Sequence, residues 1–184
     1  MLINGQTDIY LNTFLIIVLL IALATDMRVY KIPNMLTYPA MAAALTFHTV
    51  LNGMSGFFFS MLGLIAGLGI FLLPFFLGFM GAGDAKLMGA IGAVIGVRGV
   101  INACIFTSLA GGILAILLLI LHNRNFKFIG SYAAALNASI GERRVIGVPA
   151  SGKKNKPKVY YALAIAVGTL YTICWKAAFS SFPL

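Results

Sequence analysis

The chain has four acidic residues among 184: Asp8, Asp26, Asp84 and Glu142. Asp84 lies in Gly78-Phe79-Met80-Gly81-Ala82-Gly83-Asp84-Ala85-Lys86-Leu87, within one of the most apolar parts of the sequence. An ionisable group at membrane depth is costly, which makes it a candidate functional group by default. The glycines before Asp84 leave room for another peptide to come close. Taken locally, Asp84 reads equally well as the N-cap of a membrane helix. Asp26 separates the two readings, because it supplies a second carboxyl. Two carboxyls that meet share one proton, since both cannot easily ionise at close range. The neutral one donates a hydrogen bond to a scissile carbonyl, and the ionised one takes a proton from the attacking water. This is aspartic-protease chemistry, and it requires no metal, no cofactor and no nucleophilic side chain. His48 and His122 stand alone and form no ligand cluster, and each reads as structural. Cys104 and Cys174 sit singly in apolar runs, without CxxC or metal spacing, and read as small buried hydrophobes.

The elements that must bring the two acids together are membrane helices. The chain is 61% hydrophobic and 9% charged, against roughly half and a quarter in a soluble domain. It reads as one all-α, polytopic membrane domain over residues 1–184. The N-terminal apolar run ends in Ala22-Leu23-Ala24, like a cleavage site, but its positive charges, Arg28 and Lys31, follow it. That is the reverse of a signal peptide, so Ile9 to Thr25 is expected as a retained first span. Further spans are expected at about Met35–Leu51, with Asn34 capping it after Pro33, and at Phe57–Phe79, with a kink at Pro74. Ala85–Val97, Val100–Leu121 and Tyr160–Ala178 complete the set. Ala85–Val97 is short for a crossing, which takes about 20 residues. It is expected to cross because only then does the basic segment after it fall on the side of Arg28 and Lys31. About six transmembrane helices result, with both termini outside. Gly63-xxx-Gly67 and Gly92-xxx-Gly96 are expected at close helix contacts.

The net charge is +9. Nucleic acid is not the expected partner, because the basic residues gather at the ends of apolar runs instead of covering one soluble face. Arg124, Lys127, Arg143, Arg144, Lys153, Lys154, Lys156 and Lys158 belong to a basic cytoplasmic loop, residues 122–158. Within it, Phe126 to Ile140 suits an interfacial helix, and Ser151 to Lys158 a mobile stretch. Its charge is read as a topology signal.

This topology, argued from Lys and Arg alone, places Asp26 at the inner end of the first span and Asp84 at the inner end of the fourth. Both then lie at one membrane surface. Asp84 at a helix N-terminus would be the base and Asp26 near a helix C-terminus the acid.

Asp26-Met27-Arg28-Val29-Tyr30-Lys31-Ile32-Pro33-Asn34 resembles the D-x-R-x-x-x-IPN element of type IV prepilin peptidases. Gly81-Ala82-Gly83-Asp84-Ala85-Lys86-Leu87 resembles their GxGD-x-K-L element, and also the GxGD signature of presenilin and signal peptide peptidase. A weaker similarity covers Lys158 to Ala166, where Tyr160 stands in place of a usual proline. The resemblance implies a bacterial or archaeal enzyme of the cytoplasmic membrane that cleaves short basic leaders from type IV prepilins or pseudopilins. It implies Asp26 and Asp84 as the catalytic pair, Gly81 and Gly83 as shaping the site, and Arg28, Ile32, Pro33, Asn34 and Lys86 as motif positions with structural or orienting roles. Long members carry a further CxxC-bearing domain, for which this sequence shows no candidate. It resembles the short members, including those serving tight-adherence (Flp) pili, and little or no methyl transfer is expected of it. A homo-oligomer is left open.

Two other classes compete. In one, the acids bind a cation or proton in a small transporter or channel, although no internal repeat or matched pair of broken helices is visible. In the other, the chain is a non-catalytic subunit of a secretion machine. Shortening of a prepilin by the purified protein discriminates among the three.

Overall fold

The computed structural model describes residues 5–29, 31–77, 80–121 and 161–179. Basic segment 122–158, with its expected interfacial helix and mobile stretch, lies outside the described residues. Met1–Leu114 together with Tyr160–Leu184 form one compact unit, and Ala115–Val159 a second. Of the second unit, only the last residues of one helix, 115–121, are described. All contacts given below lie within the first unit.

The described residues form four helices: α1 (Gly5–Val29), α2 (Asn34–Phe76), α3 (Ala82–Leu121) and α4 (Tyr161–Phe179). The first three are long and apolar enough to cross a membrane, and α4 is a shorter apolar helix. The described residues are thus all-helical in their regular elements, with three helices that could span a membrane. Ile32-Pro33 separates α1 from α2, because a residue before proline is driven out of the helical region. Pro33 is extended (φ −70°, ψ 140°), and its carbonyl accepts from the N–H groups of Leu36 (3.0 Å) and Thr37 (3.4 Å). The cap position therefore belongs to Pro33, with no side-chain cap bond. Asn34 does not cap α2, as its amide oxygen is engaged elsewhere.

Six separate spans were expected, yet four helices are described, because two turns use a single residue each. Gly53 (φ 59°) interrupts α2 and Gly96 (φ 74°) interrupts α3. Both φ values lie in the left-handed region that glycine enters without a Cβ penalty. The chain reverses at each. The His48 and Phe59 rings, eleven residues apart, lie with centroids 5.0 Å from each other, and a Cβ on Gly56 would overlap the His48 carbonyl. Likewise, a Cβ on Gly92 would come within 3.3 Å of Val100 Cγ2. Non-helical geometry in α2 occurs at Gly53, not at Pro74, where a kink was expected.

The second limb of α2 runs antiparallel to the first limb of α3. Gly63 meets Gly92 backbone to backbone, and Gly67 meets the Met88 carbonyl. Ser60 Oγ donates to the Ala93 carbonyl (2.8 Å), and His48 Nε2 lies 3.0 Å from the Val94 carbonyl. These bonds satisfy buried polar groups that would otherwise be costly in an apolar interior. On the first limb of α3, every residue from Leu87 to Val94 is buried. A helix that is apolar all round belongs in a core, and this one forms the centre of the unit. Its second limb packs on α4, with Gly168 against Thr107 and Gly111 near Ala164. α1 packs on α4 and α2.

Candidate active site

Asp26 is on the last turn of α1, and Asp84 is the third residue of α3. Each is about 8% exposed. Each also has one oxygen held by a backbone N–H. Gly81 N donates to Asp84 Oδ2 (3.0 Å), and Ala162 N donates to Asp26 Oδ2 over a longer 3.4 Å. Asp84 thus does a local task as well. Its carboxylate reaches back three residues to the residue before the helix, as the acidic partner of a capping box does, and Asp84 N returns a bond to the Gly81 carbonyl (3.1 Å).

Ala162 was not singled out from the sequence as a partner of Asp26. It stands in the first turn of α4, so a helix N-terminus meets each acid. Asp26 therefore meets the N-terminus of α4 as well as the C-terminus of its own helix, and the helix dipoles do not single out Asp84 as base and Asp26 as acid.

The two motif segments dock on each other beside the acids. Gly83 lies against Ile32: a Cβ there would be 3.1 Å from Ile32 Cβ and 3.3 Å from its carbonyl oxygen. Ile32 itself is buried. Lys86 Nζ donates to Asn34 Oδ1 (2.8 Å) and stands 4.8 Å from the centroid of the Tyr38 ring. Of the expected motif positions, Gly81, Gly83, Ile32, Asn34 and Lys86 are thus tied to the neighbourhood of the acids. Pro33 sets the entry to α2. Arg28 is exposed on the last turn of α1, and no hydrogen bond or ion pair joins it to either carboxyl among the described residues. Tyr38 was missed, although it is one turn beyond Asn34 on the same face of a helix. A cavity of about 460 Å³ lies along this segment, lined by Thr25, Val29, Lys31, Ile32, Pro33 and Asn34.

The arrangement offers two buried carboxyls, each held by a backbone donor and carried on motif segments that touch each other. Two carboxyls that meet can hold one proton between them and exchange it with water and a carbonyl. Among the described residues, no three His, Cys, Asp or Glu side chains converge.

Residues 13–116, more than half of the chain, match the model of the type IV leader peptidase family. The chain belongs to that family. The matched stretch includes Asp26, Asp84 and both motif segments, and ends before α4. Membership makes the protein a membrane peptidase with prepilin-type substrates. No curated protein and no solved structure matches the chain.

Proposed function

We propose that this family member is an aspartic endopeptidase that removes short basic leaders from type IV pilin-like precursors at the cytoplasmic face of the membrane. Asp26 and Asp84 are its catalytic pair. One observation carries this: two nearly buried acids stand on motif segments far apart in the chain that dock on each other, Gly83 against Ile32 and Lys86 on Asn34. In a low-dielectric site they work as one unit with a shared proton. The neutral carboxyl polarises the scissile carbonyl while its ionised partner takes a proton from water. The proton then passes to the leaving amine. Gly81 and Gly83 keep side-chain bulk away from the path of an extended substrate backbone.

The same reading includes six crossings with both termini outside. A straight helix of 43 residues would be about 65 Å long, twice the ~30 Å hydrocarbon core. Folding back at Gly53 and Gly96 divides α2 and α3 into two limbs each, which with α1 and α4 makes six helical segments, and this supports the count. With it, the basic loops share one side, as positive-inside bias requires. The short form serving tight-adherence pili is the subgroup that the motifs resemble. The ion-path alternative has no observation of its own.

The test is incubation of the purified protein with a membrane-inserted prepilin, read by mass spectrometry. The expected result is one cut between leader and apolar segment. An intact precursor with folded enzyme overturns the proposal.

A further inference from the structure

Lys86 is two residues beyond Asp84 on α3, so its side chain leaves the helix on another face. Its ammonium is bound to a neutral amide and an aromatic face, both on the first turns of α2. Among the described residues, it has no carboxylate partner. A lysine with three donors beside two carboxyls would be expected to pair with one of them and hold it ionised. Here Asn34 Oδ1 and the Tyr38 ring engage it instead. Tyr38 stands one helical turn after Asn34, so the two form adjacent parts of one seat.

Gly83 on Ile32 is the other contact between the motif segments. The two contacts flank Asp84 in sequence, at 83 and at 86. On the opposite side they meet Ile32, Asn34 and Tyr38, which follow Asp26 along the chain. The first turn of α3 is thus pinned at two points to the segment that continues from Asp26. Two points fix the register where one would allow α3 to pivot.

We infer that Lys86, seated on Asn34 and Tyr38, is a positioning residue that sets the separation of the two aspartates without neutralising either. This rests on the proposed aspartic mechanism and adds to it a residue, Tyr38, outside both motifs, and a division of labour. The carboxyls act on the substrate, and the Lys86–Asn34–Tyr38 latch acts only on the carboxyls.

The test is a double-mutant cycle on purified enzyme with a pre-inserted prepilin. Lys86→Met keeps length and loses the ammonium. Displacement of a reacting group by about 1 Å can cost about a hundredfold, so kcat is expected to fall about ten- to a hundredfold, with KM changed less than about threefold. Asn34→Leu is expected to do the same in smaller measure. If Lys86 works through Asn34, the double variant is no slower than Lys86→Met alone, since coupled residues are not additive. Lys86→Arg, which keeps a donor for the amide and a cation over the ring, is expected to recover most of the activity. Tyr38→Phe is expected to be near normal, and Tyr38→Leu impaired. The pH–rate profile of Lys86→Met is expected to change shape, because the coupling between the carboxyls changes with their distance. If the two losses multiply in the double variant, or KM carries the loss, Lys86 touches substrate and the inference is overturned. Should Lys86→Met not accumulate folded, Tyr38→Leu and Asn34→Leu complete a cycle on the same latch, and multiplicative losses there overturn it equally. Asp26→Asn and Asp84→Asn enzymes run in parallel separate the two levels. If either cuts, the aspartic mechanism fails. If both are dead while the latch losses multiply, only the latch fails.

Discussion

Asp26 and Asp84 are both acids in an apolar interior, and both are anchored by a backbone N–H. An amide in place of either carboxyl keeps the shape but cannot accept the proton. Asp26→Asn and Asp84→Asn are each expected to lower cleavage by about a thousandfold or more, with normal amounts of folded protein in the membrane. Precursor and product resolved by mass spectrometry check this, and brisk cutting by either variant rules out the pair. Gly83 makes a finer case. A methyl there would meet Ile32 Cβ at 3.1 Å and the Ile32 carbonyl at 3.3 Å, so that Ile32 must shift by a few tenths of an ångström to admit it. Gly83→Ala is expected to cost about tenfold or more in kcat by shifting one motif segment against the other. Steady-state kinetics at saturating substrate check it, and an unchanged kcat would show that Ile32 can give way. Both acids were legible in the sequence, because carboxylates are rare in this chain. Their partners were less so. Asn34 follows Pro33 at the start of a helix, where an amide is a good cap. Its use by Lys86 depends on a helix fifty residues away, which no local rule can supply.

Among the elements, α2 and the first limb of α3 approach so closely that backbone meets backbone at Gly63 and Gly92. Without a hydrophobic drive between helices in lipid, such approach is what small residues contribute. Gly63→Ala and Gly92→Ala each put a methyl into the opposing carbonyl, where no side chain can move aside. Each is expected to destabilise by about 1–3 kcal/mol. Gly69, on the same limb as Gly63 with nothing within 4 Å of its added Cβ, is the control, and Gly69→Ala is expected to be neutral or slightly stabilising. Thermal unfolding in detergent distinguishes the three. Equal midpoints would mean that the limbs can slide apart without cost. The glycine spacing pointed to these contacts in advance. It did not reveal that Gly96 serves as the turn, since a small-xxx-small pattern looks the same whether its second member packs or bends. The reversal at Gly53, by contrast, falls between Leu51 and Phe57, where two separate spans were expected to be joined by a short turn.

For the whole molecule, the proposed six crossings make a labelling prediction. Ser55 is exposed two residues past the Gly53 turn, and a cysteine there is expected to react with an impermeant reagent from outside intact cells. A cysteine at 151, in the basic segment, is expected to react only after the membrane is opened. Outside labelling at 151 would remove the shared surface for the two aspartates.

The substrate follows from that surface. A precursor with a basic leader and an apolar helix keeps its leader in the cytoplasm by positive-inside bias, so its scissile bond lies where the leader meets the apolar segment. The backbone must be extended there to offer a carbonyl to both carboxyls. Glycine on the leader side weakens helix at that point and adds no bulk beside Gly81 and Gly83. The enzyme's own net charge of +9 gives a basic leader no attraction, so recognition should come from the apolar segment and the residues at the cut. With substrate already inserted, replacing the leader's final glycine by valine is expected to block cleavage. Neutralising the leader's Lys and Arg is expected to leave the rate within about threefold, since exposed charges contribute little once the substrate is docked. The appearance of product over time for the two substrates checks this. Tolerance of valine together with collapse on charge removal would mean that the site reads the leader's charge and not the backbone at the cut.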